Sequence, residues 1–296
     1  MTEGDNLEKI VDTYLEFQNK VKKLSENTVS SYRRDLCAFS DYLYSAGINY
    51  KKVKKTDIYE YITLLQQKGK SSATVARVVA SIRSFYRYLC VSGVMKKDPS
   101  LGVSAPKTEK KLPGILTLSE VDRFLSQPSG NSYKHRRDKA MLELLYATGI
   151  RVSELIELTT DNLDMDNSII ILNDNIKQRI VPFGSQAQKA LTVYLGNSPY
   201  HQEPGTYLFT NLYGKKLTRQ GFWKIIKHYK VLASIRKEIT PQTLRHSFAA
   251  HLMDNGIDNS SLQELMGYSA IASVKKYEEL SGKRIVDIYK KVHPRA

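Results

Sequence analysis

Residues 240–252, TPQTLRHSFAAHL, place one arginine among the apolar positions of a predicted helix. Apolar residues recur there at spacings of four, which predicts a helix over about 241–255 that packs this face on a core: Leu244, Phe248 and Leu252. Arg245 follows the first of them, and a buried guanidinium without a partner is strongly destabilising. Gln242, near the start of the same stretch, is either an ordinary helix cap or the replacement for a chemical group.

The rest of this half of the chain is also mostly helical by its hydrophobic pattern. Further helices are predicted at about 118–127, 135–148, 152–158, 184–195, 218–233, 258–266 and 270–278. One segment differs, because NSIIILNDNIKQRIVPFG, residues 167–184, has two β-branched runs on either side of Asn-Asp-Asn. That pattern is typical of a β-hairpin, so the sequence predicts one small sheet in this half.

The first hundred residues form a separate helical region. Apolar residues recur at spacings of three and four in two long segments, which predicts two inward faces: Val29, Tyr32, Leu36, Phe39 and Leu43, then Val75, Val78, Ile82, Phe85 and Leu89. A stretch rich in proline, glycine and lysine separates the two regions and indicates a linker. The sequence therefore predicts a mainly α protein with a helical domain over 1–97, a linker over 98–113 and a mixed, mostly α domain over 114–296.

The chain is strongly basic, with 45 basic against 30 acidic side chains and a formal net charge of +15. Both halves are basic, which favours a polyanionic partner contacted by two domains, as in a clamp around nucleic acid. Arginines that fall off the inward faces of the first domain are candidate DNA contacts: Arg33, Arg34, Arg77, Arg83 and Arg87. The alternatives are a solvated arginine face and a merely basic protein.

Other sequence features bear on location and cofactors. No apolar run approaches the roughly 18–20 residues of a membrane span, and the first residues are acidic and amphipathic, unlike a signal peptide. A cytoplasmic protein is expected. Cys37 and Cys90 lie in helical apolar patterns without metal-binding spacing, so they are predicted to be reduced core residues, and no metal site is expected.

Four motifs carry a resemblance to a known family. In chain order they are LLYATGIRVSELIEL (144–158), TPQTLRHSFAAHLMDNG (240–256), LQELMGYSAIASVKKYEEL (262–280) and HPRA (293–296). Their order and spacing resemble the tyrosine recombinase, or phage integrase, family, and particularly its Xer branch. The resemblance covers nearly the whole chain and implies a two-domain DNA clamp, with an N-terminal core-binding domain and a C-terminal catalytic domain.

The resemblance also implies a reaction. In that family a tyrosine attacks a DNA phosphodiester and leaves a 3′-phosphotyrosyl bond and a free 5′ hydroxyl, without a metal or nucleotide cofactor. Tyr277 matches the nucleophile, and Arg151 and Arg245 match two arginines that hold the phosphate. Arginine suits this task better than lysine because its planar fork forms two parallel hydrogen bonds with a phosphate.

Several positions depart from the family pattern. Gln242 stands where a histidine is usual, and Tyr268 stands where a histidine or tryptophan is usual. The family hairpin carries a lysine general acid, but Asp174 aligns with that position, and Lys177, three residues later, is the candidate replacement. Each missing acid or base would slow cleavage by about 10²–10⁴-fold. His246 is a common neighbour of the second arginine and is interpreted as structural.

Two functional hypotheses follow. The first is a site-specific DNA recombinase that acts in chromosome dimer resolution, and so in chromosome partition and cell division, or in integration of a mobile element. The second is a catalytically weakened or inactive Xer-like protein that binds DNA beside an active recombinase. The implied partners are double-stranded DNA, a homo- or hetero-tetramer of recombinases on that DNA, and a DNA translocase, without a membrane.

Overall fold

The computed structural model describes residues 3–107, 114–173, 178–200, 203–268, 273–274 and 277. These residues are mainly helical and include one small antiparallel sheet, which confirms the predicted fold class. The chain divides into two compact units, Met1–Lys110 and Lys111–Ala296. The predicted linker limits, 98–113, stay a prediction. Within the described ranges, no helix is both long and apolar enough to cross a bilayer.

The first unit is built from amphipathic helices. They are α1 (Glu3–Lys20), α2 (Glu26–Ser45), α3 (Lys55–Gln67) and α4 (Ser72–Val91), with a short 3₁₀ turn at Tyr50–Lys52. Ser25 and Ser71 cap α2 and α4, because each side-chain oxygen accepts a hydrogen bond from a backbone N–H of the first turn. Both long helices therefore begin directly after a capping serine that precedes their repeating apolar positions.

The core of the first unit agrees with the predicted inward faces. All five predicted residues of α4 are buried, and α2 buries three of its five, while Val29 and Tyr32 are half-buried against the same core. The predicted burial of Cys37 is wrong, because this residue follows Leu36 by one position and so lies about 100° around the helix, on the exposed side. Cys90 is half-buried, and both thiols are free.

The second unit is larger and contains the sheet. Its helices are α5 (Leu118–Leu125), α6 (Tyr133–Thr148), α7 (Val152–Glu157), α8 (Ser185–Leu195), α9 (Arg219–Leu232), α10 (Pro241–Asp254) and α11 (Asn259–Met266). Its strands are β1 (Leu163–Asp164), β2 (Ile169–Asn173) and β3 (Gln178–Pro182), antiparallel in the order β1-β2-β3. The predicted hairpin corresponds to β2 and β3, whereas the two-residue β1 is too short to show an alternating pattern. Residues 174–177, between β2 and β3, lie outside the described residues.

Helix α10 lies deep in this unit, packed against both α6 and α11. Its start is fixed by Thr240, whose side-chain oxygen accepts a hydrogen bond from the backbone N–H of Thr243 at 3.0 Å, and by Pro241 in the first helical position. Because the helix is buried on nearly all sides, its polar residues are enclosed as well. Arg245 is 2% exposed and His246 is 9% exposed.

A left-handed glycine connects α6 to the site. Gly149 ends α6 with φ +58°, a conformation that residues with a side chain disfavour, and a Cβ there would overlap the ring of Phe248 on α10. We expect Gly149→Ala to lower the free energy of unfolding by about 3 kcal/mol, measured by denaturant unfolding. Gly205→Ala is the matched control, because Gly205 has φ +75° but its Cβ would meet only an ordinary contact at 3.5 Å. Equal losses in the two variants would contradict the overlap with Phe248.

Candidate active site

Arg151 lies at the start of α7, directly after the turn that ends α6. Its backbone N–H and its Nη1 both donate to the carboxylate of Glu154, at 2.5 and 2.8 Å, so Glu154 fixes the orientation of the side chain. Its Nη2 donates to the carbonyl of Gly267 at 2.7 Å. The side chain is still 40% exposed, which leaves part of the guanidinium open to a phosphate.

Arg245 is held inside the unit by backbone carbonyls. Its Nη1 donates to the carbonyl of Gly149, and its Nη2 donates to the carbonyl of Met266 at 2.5 Å. The guanidinium carbon lies 5.1 Å from the ring centre of Tyr268. Burial lowers the pKa of Arg245, and its contacts with Tyr268 act in the opposite direction. The carbonyls of Met266 and Gly267 are consecutive, so one turn after α11 binds both candidate phosphate arginines.

Tyr277 is fully buried, and its hydroxyl faces two polar groups. The Oη atom lies 2.7 Å from Nδ1 of His246 and 3.0 Å from Oη of Tyr268. Burial raises the pKa of Tyr277 above its ordinary value, the hydrogen bond with Tyr268 raises it further, and the Arg245 charge lowers it. The phenol therefore keeps its proton at neutral pH and needs a proton acceptor before it can attack a phosphate.

The histidine beside Tyr277 is linked in turn to Gln242. The two residues lie one helical turn apart on α10, with Nε2 of Gln242 3.1 Å from Nε2 of His246. A row of contacts therefore runs through Gln242, His246, Tyr277 and Tyr268, with Arg245 beside the last. The sequence interpretation of His246 as structural did not anticipate its contact with the tyrosine hydroxyl.

The structure places most of the predicted catalytic residues close to one another. The residues brought together are Arg151, Arg245, Tyr277, Gln242 and Tyr268. Lys177, the predicted general acid, and Asp174 lie outside the described residues. The catalytic roles of all these residues stay predictions, whereas their spatial arrangement is a structural finding.

Arg179 is a further cation at the site that sequence reasoning missed. It lies on β3 with its side chain 10% exposed, and its Nη2 donates to Oε1 of Glu154 at 3.0 Å. Its Nε and Nη1 are buried and have no hydrogen-bond partner among the described residues. Glu154 thus joins Arg179 to Arg151. The alternation of side chains along the strand could have indicated this burial, because it places Arg179 on the same face as the buried Val181.

Two of the candidate DNA contacts in the first unit form ion pairs. Arg33 pairs with Asp12 at 2.5 Å, and Arg77 pairs with the buried Asp35 at 2.5 Å. Since Asp35 also accepts a hydrogen bond from Ser81 Oγ at 2.8 Å, the Arg77 pair ties α2 to α4. These two arginines therefore have a structural task besides any contact with DNA.

The other three candidates are exposed arginines. Arg34 donates to the backbone and side chain of its own helix, and Arg83 and Arg87 lie one turn apart on α4. Within the described ranges, no ion pair engages any of the three. Their charge is therefore better available to a phosphate backbone than that of Arg33 or Arg77.

Comparison with known proteins identifies the family of the chain. The pattern of the Phage integrase family matches residues 115–284, and that of the Phage integrase, N-terminal SAM-like domain matches residues 11–93. Tyrosine recombinase XerD of Oceanobacillus iheyensis is 41% identical, covering 98% of this chain and 100% of that protein. Tyrosine recombinase XerD of Listeria innocua is 40% identical, covering 97% of this chain and 99% of that protein.

Solved structures share the fold. The XerH site-specific recombinase bound to difH in a pre-cleavage complex superposes with a TM-score of 0.76 at 19% identity, covering 96% of this chain and 95% of that one. A lambda integrase dimer bound to a COC′ core site superposes with a TM-score of 0.72 at 15% identity, covering 92% and 94%. By its sequence matches over both units, this chain belongs to the phage integrase family of tyrosine recombinases and to its Xer-like branch.

Proposed function

We propose that this chain is a site-specific DNA recombinase that cleaves and rejoins DNA strands through a 3′-phosphotyrosyl intermediate. Tyr277 is the nucleophile, and Arg151 and Arg245 hold the scissile phosphate. One observation carries the proposal: the buried hydroxyl of Tyr277 lies 3.0 Å from that of Tyr268, whose ring centre lies 5.1 Å from the Arg245 guanidinium. The oxygen of Tyr277 and the guanidinium of Arg245 are thus separated by one side chain, so the proposed nucleophile and a proposed phosphate ligand lie in one site.

The geometry gives each residue a part in the reaction. The Tyr277 oxygen attacks phosphorus while the bond to the 5′ oxygen breaks. Negative charge then grows on the non-bridging oxygens, where two adjacent arginine forks stabilise it. Because Glu154 and backbone carbonyls already fix these arginines, little reorganisation is needed during the reaction. Lys177 is the proposed acid for the leaving 5′ oxygen.

The substituted positions are proposed to slow the enzyme without abolishing its activity. Gln242 and Tyr268 both belong to the row of contacts around Tyr277, and both carry groups that donate hydrogen bonds. They can therefore orient reacting groups although neither supplies the imidazole usual in the family. The relatives, which match nearly the whole chain, do not favour the alternative of a non-catalytic DNA-binding protein.

Double-stranded DNA is the proposed substrate and partner. We propose a core-binding domain over 1–97, a linker over 98–113 and a catalytic domain over 114–296, with both domains contacting phosphates as a clamp. The net charge of +15 and the exposed arginines of the first unit support this. The proposed assembly is a homo- or hetero-tetramer on DNA in the cytoplasm, activated by a DNA translocase. Identification of the DNA target site would distinguish a chromosomal role from a mobile-element role.

Covalent capture of DNA tests the proposed function. The binding site is first selected from random duplexes, and a half-site is then made with a 5′-bridging phosphorothiolate, whose thiolate leaves without an acid. We expect a protein–DNA adduct on denaturing electrophoresis, with peptide mapping that places the phosphotyrosyl bond at Tyr277. Specific binding without an adduct would overturn the proposal in favour of a non-catalytic DNA-binding protein.

A further inference from the structure

We propose that His246 takes the proton of Tyr277 during strand cleavage and returns it during rejoining, with Gln242 as the residue that positions the imidazole. The inference rests on the proposed function, since it names the proton acceptor for that reaction. His246 then supplies the acid–base group that is missing at position 242. His246 then acts as a catalytic residue because it contacts the reacting oxygen.

Distance and enclosure support direct proton transfer. Nδ1 of His246 lies 2.7 Å from Oη of Tyr277, within the range for transfer without an intervening water. The two ring centres are 5.6 Å apart with the planes at 52°. Tyr277 is fully buried and His246 is 9% exposed, so a base in bulk solvent has little access to this proton.

Gln242 determines which ring nitrogen of His246 carries the proton. Its amide faces Nε2 of the imidazole at 3.1 Å. When the amide N–H donates to Nε2, the ring proton lies on Nδ1, and the histidine donates to the tyrosine. When the amide oxygen accepts from Nε2–H, Nδ1 is the acceptor that cleavage requires. The imidazolium formed during cleavage also carries a proton on Nε2, so the amide oxygen accepts from Nε2–H in both cleavage and rejoining, and a 180° turn of the amide separates this arrangement from the one that leaves the proton on Nδ1.

Tyr268 makes the second hydrogen bond of the Tyr277 hydroxyl. If Tyr277 donates to His246, its oxygen is free to accept from the Tyr268 hydroxyl at 3.0 Å. This hydrogen bond raises the pKa of Tyr277, so loss of the proton depends on the acceptor on the other side of the hydroxyl, His246. The charged and titratable groups that face His246 in the described part of the chain include the hydroxyls of Tyr277 and Tyr268 and the guanidinium of Arg245.

The step balances in atoms and charge. The O–H bond of Tyr277 breaks, its proton moves to Nδ1 of His246, and its oxygen forms a bond to phosphorus. The P–O bond to the 5′ oxygen breaks with its electron pair, and that oxygen takes a proton from Lys177 or from water. In rejoining, the 5′ hydroxyl attacks phosphorus, and the imidazolium of His246 returns its proton to the departing Tyr277 oxygen.

The test uses the phosphorothiolate half-site, because its leaving group needs no acid and the rate then reports activation of the nucleophile. His246→Asn keeps a polar group near the position of Nδ1 but cannot take up a proton. We expect this variant to lower the rate of adduct formation by about 10²-fold or more. We also expect the wild-type rate to rise with pH through one titration, and this inflection to vanish in the variant.

A second variant and a matched control separate catalysis from folding. Gln242→Glu offers only acceptors to Nε2–H and stabilises the imidazolium, so the inflection is expected to move to higher pH. His251→Asn is the control, since His251 lies on the same helix and its Nδ1 is 2.8 Å from the hydroxyl of Tyr146. We expect this control to change stability without moving the pH profile.

The possible results are distinct. A His246→Asn variant within threefold of wild type, with the same pH inflection, would show that His246 is only structural and would overturn the inference. An inflection that Gln242→Glu leaves in place would overturn the positioning role of Gln242. A wild-type protein that forms no adduct at any pH would overturn the proposed function itself, and this inference with it.

Discussion

Tyr277→Phe is expected to abolish covalent capture of DNA, a loss of at least about 10⁴-fold, because the substitution removes the attacking oxygen itself. The phenylalanine ring still fills the apolar cluster formed with Phe248, Met253 and Leu262. The hydrogen bonds of the hydroxyl with His246 and Tyr268 are lost, so the free energy of unfolding should fall by about 1 kcal/mol. The measurement is adduct yield on the phosphorothiolate half-site beside DNA affinity, which should stay unchanged.

The chain supplies a matched control for that experiment. Tyr146 also donates or accepts a hydrogen bond with a histidine of α10, at 2.8 Å from Nδ1 of His251. Tyr146→Phe therefore removes the same kind of contact from the same helix without touching the proposed nucleophile. Adduct formation should persist in this control. An adduct that survives in Tyr277→Phe, mapped to another tyrosine, would refute the assignment of the nucleophile.

Arg245→Ala is expected to damage both stability and chemistry. The buried carbonyls of Gly149 and Met266 lose their donor, and a cavity remains, so unfolding should become easier by about 3–5 kcal/mol. Loss of a phosphate donor should lower the cleavage rate by about 10²–10³-fold. Because an unfolded variant would make the rate uninformative, the sharper experiment is Arg245→Lys.

Arg245→Lys separates the two effects. A lysine keeps the charge and can reach one carbonyl, so it should recover part of the stability, but it cannot bind a phosphate and a carbonyl with one planar fork. The rate on the half-site should therefore stay low in a folded protein. Arg236→Lys, an exposed position in the same unit, is the matched control and should change neither quantity. Wild-type cleavage by Arg245→Lys would show that Arg245 is structural only.

Much of the fold was predictable because single helices carry their own pattern. The burial of the α4 face from Val75 to Leu89 follows directly from spacings of three and four. Such spacing does not identify every enclosed residue where a helix is buried on nearly all sides, as α10 is. There the pattern marks Leu244 and Phe248 as inward but gives no sign that His246 is enclosed as well.

The candidate site could be predicted only in part, for a physical reason. The family motifs supply Arg151, Arg245 and Tyr277, but the contacts among their side chains depend on how α10 and α11 pack and on where Tyr277 lies beside them. The distance between Nδ1 of His246 and the Tyr277 hydroxyl joins residues 31 positions apart, and no local pattern encodes it. For the same reason, only the folded strand shows that Arg179 meets Glu154.

The hydrogen bonds that Arg245 donates to two backbone carbonyls affect how such chains change over evolutionary time. A lineage that stops cutting DNA still needs a donor for the carbonyls of Gly149 and Met266, so selection for folding alone preserves this arginine. Its persistence in a relative therefore says little about whether that relative is an active enzyme. A tyrosine at position 277 is a better indicator of activity. A phenylalanine there would fill the same space at a far smaller loss of stability, so a lineage without cleavage would be free to accept that substitution.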